Sequence, residues 1–321
     1  MLQFDKIKLV TSLNNINNIN EDKFSKTESK RQVQNYKYNQ KEPYALYIEV
    51  DEADKELVIE FTGKILRDQY PELITQNNIR VCLENINALG LCLLDIDAII
   101  RDSIVVKVDV TADIPCNNCK DLVSSLHAGI SNYQKYISRR IKDNCVIDKN
   151  VQTKNRKLRL SVYDKAKEMQ LVGNEAFLGT LNAPDTLIQY FQGKIRFELN
   201  LNSKEQIRKN LKIPNTQLIE VLNSTANPIM TFIDKAIDDN AEVKSVKTLR
   251  DYERLAVLRE CGNNLEKVER IIRVYSSPTT HITQAIKPYK QLAAAKSNSS
   301  IKDMLRNLLF EVFIIGTFVL I

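Results

Sequence analysis

Three segments of the chain alternate apolar and polar residues with a strict period of two. In 105–114, Val106, Val108, Val110 and Ala112 alternate with Lys107, Asp109, Thr111 and Asp113. In 157–165, Leu158, Leu160 and Val162 alternate with Lys157, Arg159, Ser161, Tyr163 and Lys165. In 194–202, Ile195, Phe197, Leu199 and Leu201 alternate with Lys194, Arg196, Glu198 and Asn200. That period marks a half-buried β-strand, with one face on a core and the other polar. If the three strands share a sheet, one face gathers a tyrosine, carboxylates and cations.

The same reading extends along the chain. Residues 3–10 predict a first strand, and 45–51 and 56–62 predict a β-hairpin turning at Glu52–Lys55. Residues 72–88 and 118–129 predict helices, and 133–141 and 144–149 predict strands. The Asn-rich stretch 12–42 has no periodicity and reads as a flexible loop. From 203 the pattern turns helical, starting at a capping box of Ser203 and Gln206. Amphipathic stretches at 215–238, 247–261, 263–275 and 281–294 follow, and the pair broken at Gly262–Asn264 is a candidate helix-turn-helix. The expected organisation is therefore an α+β domain at 1–202, a helical region at 203–300 and an apolar tail at 301–321. The run 308–321 is apolar but contains Glu311 and is shorter than the roughly 20 residues a spanning helix needs. A membrane partner is not expected.

The 46 Lys and Arg against 40 Asp and Glu give a net charge of +6, too mild an excess to define a partner. Its distribution is more informative. Lys154, Arg156, Lys157, Arg159, Lys165 and Lys167 cluster around the tyrosine segment, and Lys135, Arg139, Arg140 and Lys142 form a second group. Basic clusters beside strands with aromatics suit a nucleic-acid groove. Six scattered cysteines and no apolar leader core at the start point to reduced thiols and a cytoplasmic protein. Cys116 and Cys119 form one C-x-x-C without a second pair for zinc. With only His127 and His281, histidine-based metal motifs are excluded. Any metal would rely on carboxylates, which select Mg²⁺ or Mn²⁺.

The segment LSVYDKAKEMQ at 160–170 resembles the tyrosine motif of rolling-circle replication initiators: the filamentous-phage replication endonucleases, the Rep_trans initiators of small plasmids and related relaxases. VDVTAD at 108–113 is similar to their acidic strand, and IRFELNL at 195–201 to their R-x-E strand. The resemblance implies an HUH-like nuclease variant, with a central antiparallel sheet flanked by helices and carboxylates in place of histidines. It implies Tyr163 as the nucleophile that forms a 5′-phosphotyrosine, activated by the cations nearby. Asp109, Glu198 and Asp113 would hold Mg²⁺ or Mn²⁺. Asp109 and Asp113 lie about 13 Å apart along one strand, which makes Asp109 and Glu198 the better pair. Lys157, Arg159, Lys165, Lys167 and Arg196 would bind DNA phosphates. Tyr133, Tyr136 and Tyr190 are candidates for base stacking, and Glu49 and Glu60 for an added ligand or base. The implied partners are origin DNA, single-stranded or cruciform, a host helicase and polymerase, and a second copy of the chain. A conjugative relaxase of the same chemistry and a non-catalytic DNA-binding copy-number regulator are the alternatives.

Overall fold

The computed structural model describes residues 2–28, 33–129, 135–150, 158–237, 246–262, 264–294, 302 and 305–309. The strands are β1 (Gln3–Ser12), β2 (Ile16–Ile19), β3 (Ser25–Glu28), β4 (Gln34–Gln40), β5 (Leu46–Asp51) and β6 (Glu56–Thr62). They continue with β7 (Cys92–Leu94), β8 (Ile104–Pro115), β9 (Tyr136–Ile141), β10 (Asn144–Lys149), β11 (Arg159–Asp164) and β12 (Lys194–Leu201). Ten of them form one antiparallel sheet in the order β3-β4-β5-β6-β1-β8-β12-β11-β10-β9, and β2 pairs with β7. The protein is thus mixed α and β around a large antiparallel sheet.

The three alternating segments lie side by side, with β12 between β8 and β11. Register aligns Tyr163 with Arg196 and Asp113, Ser161 with Glu198 and Thr111, and Arg159 with Asn200 and Asp109. Their apolar residues share one core with Val123 and Leu126 of the helix Cys119–Gly129 and Ile229 and Phe232 of the helix Pro228–Ala236. The expected hairpin is present, with Lys55 at φ 58° in its turn.

Strand β1 carries an irregularity that matters for the site. Its core residues Phe4 and Ile7 are three positions apart, out of step with a period of two. Pairing with β8 shifts between Phe4 and Lys6, the mark of a β-bulge. Across the bulge, Asp5 reaches Arg196 of β12, and Lys6 is aligned with Asp109 of β8.

The stretch 12–42, expected as a loop, instead contributes β2, β3 and β4. All four residues of β3 are exposed, so its place rests on backbone pairing with β4 at the sheet edge. Side chains with no apolar alternation give no sequence signal for such a strand. The helices between 204 and 237 pack into the sheet's own core, and a separate core of Leu255, Leu258, Cys261, Val268 and Ile272 begins with the helix Leu249–Glu260. The two cores meet the chain on either side of the stretch between Ile237 and Val246. The candidate helix-turn-helix, Leu249–Glu260 and Leu265–Tyr275, builds this second core. Among the described residues no helix is long and apolar enough to cross a membrane. Leu305 and Leu309 pack into the main core, and the rest of the apolar run, 310–321, lies outside the described residues.

Candidate active site on the polar sheet face

Arg196 is the centre of the site, and it is fully buried. Its Nε and Nη2 donate to the two Asp113 oxygens at 2.7 Å each, a bidentate pair. Its Nη1 donates to Asp5 Oδ1 and to the Tyr70 hydroxyl, both at 2.9 Å. Four of its five donor hydrogens are thus committed to protein. Tyr70 in turn donates to Asp5 at 2.8 Å. Burial pushes Asp5 upward, but Arg196 and Lys165 outweigh it and hold the carboxyl below its ordinary value. Tyr70 comes from the 3₁₀ segment Gly63–Glu72, whose ring lies so close to Gly63 that a Cβ there would meet it at 3.3 Å. Arg67 at φ 55°, ψ −120° and Leu73 at φ 56° hold left-handed backbone in and just after this segment. Such conformations cost about 1–3 kcal/mol each and persist only where the surroundings impose them.

Arg196 and Asp113 therefore neutralise each other beneath the surface. The expectation that Arg196 binds phosphate is corrected: a fully buried guanidinium saturated by two carboxylates has no face for DNA. Asp113 is taken up by the same pair, apart from Asp109, which bonds Asn200 instead.

Lys165 is also buried, and its ammonium pairs with Glu168. It sits 5.2 Å from the Tyr70 ring centre and 5.8 Å from that of Tyr163. The strand ends one residue earlier, at Asp164, whose carboxylate caps the helix Lys165–Met169 by accepting from the Lys167 amide at 3.1 Å. Lys165 thus leaves the alternation and turns inward. Its expected DNA contact is corrected for the same reason as that of Arg196. Arg159 stays half-buried, and with Arg139 it clasps the buried Asp148. Lys167 is exposed and pairs with Asp143 at 3.1 Å. Lys157 lies outside the described residues.

Next to the buried knot stands Tyr163, the candidate nucleophile. The Tyr163 hydroxyl donates to Glu198 Oε2 at 3.0 Å. Asn200 Nδ2 donates to Glu198 Oε1 at 3.2 Å and to Asp109 Oδ1 at 2.8 Å, so one amide ties the two carboxylates together. Burial first, then the negative charges of Asp5 and Asp109, pushes Glu198 up to about 7. Burial also raises Asp109. Burial and Glu198 raise the Tyr163 phenol well above its ordinary value. The cations beside Tyr163 in sequence led to the expectation that they activate it by favouring the anion. Here Tyr163 is a neutral phenol whose proton points at a carboxylate base.

Asp109 and Glu198 fit a divalent cation in donor chemistry, being two hard oxygen ligands tied together by Asn200 and both raised in pKa, chiefly by burial. Among the described residues, no three His, Cys, Asp or Glu side chains converge as a metal-holding group. The fit is therefore to this pair.

The remaining candidates have other partners. Tyr136 is buried against Phe232, and the exposed Tyr190 lies under the Lys194 ammonium. Tyr133 lies outside the described residues. Glu49 accepts from Tyr47 and pairs with Lys37. Glu60 faces lysines. Sequence reasoning missed Asp5, Tyr70 and Asn200. Asp5 was detectable, since the odd spacing of Phe4 and Ile7 signals the bulge. Tyr70 had no signal, because it arrives from an irregular segment distant in sequence. No protein-family model, curated protein or solved structure matches this chain.

Proposed function

We propose that this chain is a tyrosine endonuclease that nicks and rejoins one strand of origin DNA in rolling-circle replication of a phage or plasmid. The observation that carries the reading is the Tyr163–Glu198 hydrogen bond, a nucleophile within reach of a base. A phenol with a high pKa needs a general base, and a base is most effective when its own pKa lies near the working pH. Glu198, at about 7, meets that condition. In the reaction, Glu198 Oε2 accepts the phenolic proton as Tyr163 Oη attacks phosphorus. The phosphorus–O3′ bond breaks, and the departing 3′ oxygen takes the proton back from Glu198. A 5′-phosphotyrosine and a free 3′-hydroxyl result, and attack by a 3′-hydroxyl reverses the step and rejoins the strand.

Asp109 and Glu198 are the residues that would hold Mg²⁺ or Mn²⁺, which supplies charge stabilisation at a phosphoryl oxygen when bound. Arg196, Asp113, Asp5 and Tyr70 position β12 and hence Glu198. On this reading the sheet is an HUH-like variant with carboxylates in the metal role, the protein is cytoplasmic, and its partners are origin DNA and the host helicase and polymerase. The testing experiment is covalent capture. Labelled single-stranded origin DNA is incubated with the protein and Mg²⁺ or Mn²⁺, then resolved on a denaturing gel. A protease-sensitive adduct supports the reading, and binding without any adduct favours the non-catalytic regulator. Comparing a replication origin with a transfer origin separates initiator from relaxase.

Glu198 makes two further predictions. Glu198→Gln is expected to lower the cleavage rate about 10²–10⁴-fold. The stability effect has the opposite sense. A carboxyl whose folded value is raised above its unfolded 4.5 is a liability once ionised, so stability is lost as pH rises from 4.5 to about 7. Glu198→Gln is therefore expected to stabilise the fold by about 1–3 kcal/mol at about pH 8, with little change at about pH 4, in urea titrations.

A further inference from the structure

The polar face continues past Asp109 into a basic cleft that the tyrosine chemistry does not use. Lys6 and Lys8 on β1 and Lys107 on β8 all approach Glu60 of β6, at 3.4, 3.6 and 3.7 Å. None of these distances closes to a short charge-assisted hydrogen bond. Lys8 and Lys107 stand directly opposite each other across the β1–β8 pair, an arrangement of like charges that destabilises a sheet. Three half-buried cations thus gather around one carboxylate, with Asp109 aligned with Lys6 and Glu49 bonded to the Tyr47 hydroxyl. A cleft of about 270 Å³ opens beside them, lined by Lys6, Lys8, Lys41, Asn39, Tyr47 and Glu60. Lys8 lies 5.2 Å from the centre of the Tyr47 ring, so an aromatic wall and a cation share the opening.

Charge and position together identify the occupant. Three lysines around one glutamate leave a net positive charge, which favours an anion. They lie on the same face as Tyr163 and Glu198 and are reached from them across β12 and β8, so a ligand bridging both must be long and carry repeated negative charge. An aromatic wall within a cationic groove is the feature that accepts single-stranded nucleic acid. We propose that the cleft at Lys6 and Lys8, with Lys107 beside it on Glu60, binds the phosphates of the single DNA strand on one side of the bond that Tyr163 attacks. The assignment rests on the endonuclease reading for its choice of ligand, although binding at the cleft needs no cleavage.

The test uses the full chain carrying Tyr163→Phe, so that no covalent product forms, and a fluorescein-labelled oligothymidylate as the probe. Binding is followed by anisotropy over a salt series. Replacing Lys6, Lys8 and Lys107 together by Gln is expected to weaken binding about tenfold or more and to reduce the log–log salt slope by about 2. The corresponding Lys→Arg triple is expected to retain both. An equal charge removal at the exposed Lys204, Lys209 and Lys212 of the helical region is expected to change neither by more than about twofold. Thermal melts establish that each variant is folded. Three results would overturn the proposal: no binding by the parent, equal binding by parent and Gln triple, or equal loss from the two triples. Lysine-dependent capture of polyglutamate with the same affinity as the oligonucleotide would also overturn it, in favour of an acidic-peptide site. The two readings fail separately. An adduct formed equally well by otherwise wild-type protein and by the Gln triple at limiting DNA rejects the cleft and keeps the nuclease. Lysine-dependent binding without any adduct rejects the nuclease and keeps the cleft.

Discussion

Tyr163→Phe is expected to abolish the covalent DNA adduct completely while leaving the fold and DNA binding in place. The phenylalanine ring keeps its position near the Lys165 ammonium, 5.8 Å from the ring centre, and removes only the hydroxyl. That oxygen is the atom to which the phosphate would be joined, so no neighbouring group substitutes for it. The structural cost is one hydrogen bond, about 0.5–1.5 kcal/mol. Because the Tyr163 hydroxyl favours the ionised form of Glu198, its loss is expected to raise the Glu198 pKa further. The measurement is the gel assay on wild type and variant, with anisotropy confirming equal DNA affinity. An adduct that survives in the variant moves the nucleophile to another tyrosine and sinks the assignment.

Arg196→Met is expected to destabilise the protein by about 3–5 kcal/mol, because it leaves Asp113 and Asp5 buried without their counter-charge. Arg196→Lys is expected to recover only part of this, since an ammonium cannot reproduce the bidentate fork to Asp113 while also reaching Asp5 and Tyr70. Urea titrations give the magnitude. The same lysine variant also separates the two roles weighed for this residue. A phosphate ligand would alter the salt slope of DNA binding, whereas a buried strut is expected to leave it unchanged in the folded variant. A loss of stability well under 1 kcal/mol would show that the buried network matters little.

The sheet's centre was legible in the sequence because burial of one face forces a period of two, and β8, β11 and β12 carry it without interruption. That they share one sheet was only a condition in the sequence, and the strand order meets it. The edge at β3 was not legible, since a strand whose side chains are all exposed leaves no apolar signature. The resemblance grouped Asp109 and Glu198, and strand spacing set Asp113 apart from Asp109; in the fold the Asn200 amide links the first two. The fate of Arg196 was missed because sequence shows charge and not depth. An arginine on a polar strand face reads as solvent-facing until a second layer, here Tyr70 and Phe191, is found above it. The same blindness hid Lys165, where the helix cap at Asp164 changes the side chain's direction within one residue.

The bond between Asp5 and Arg196 joins residues 191 positions apart. This has a consequence for how the molecule comes into being. On the β6 side of β1, strands β1 and β3 to β6 have all their partners within the first 62 residues, but the β8 side of β1 stays open until residues 104–115 arrive. Asp5 then waits through about ninety further residues for its guanidinium, roughly 5–20 seconds at ribosomal speed. Over that interval Asp5, Asp109 and Asp113 share one end of a growing sheet with no arginine among them. The nascent chain therefore passes through a stage when its most buried polar site is an open acidic edge, and closure of that edge by β12 is among the last long-range events in building the sheet.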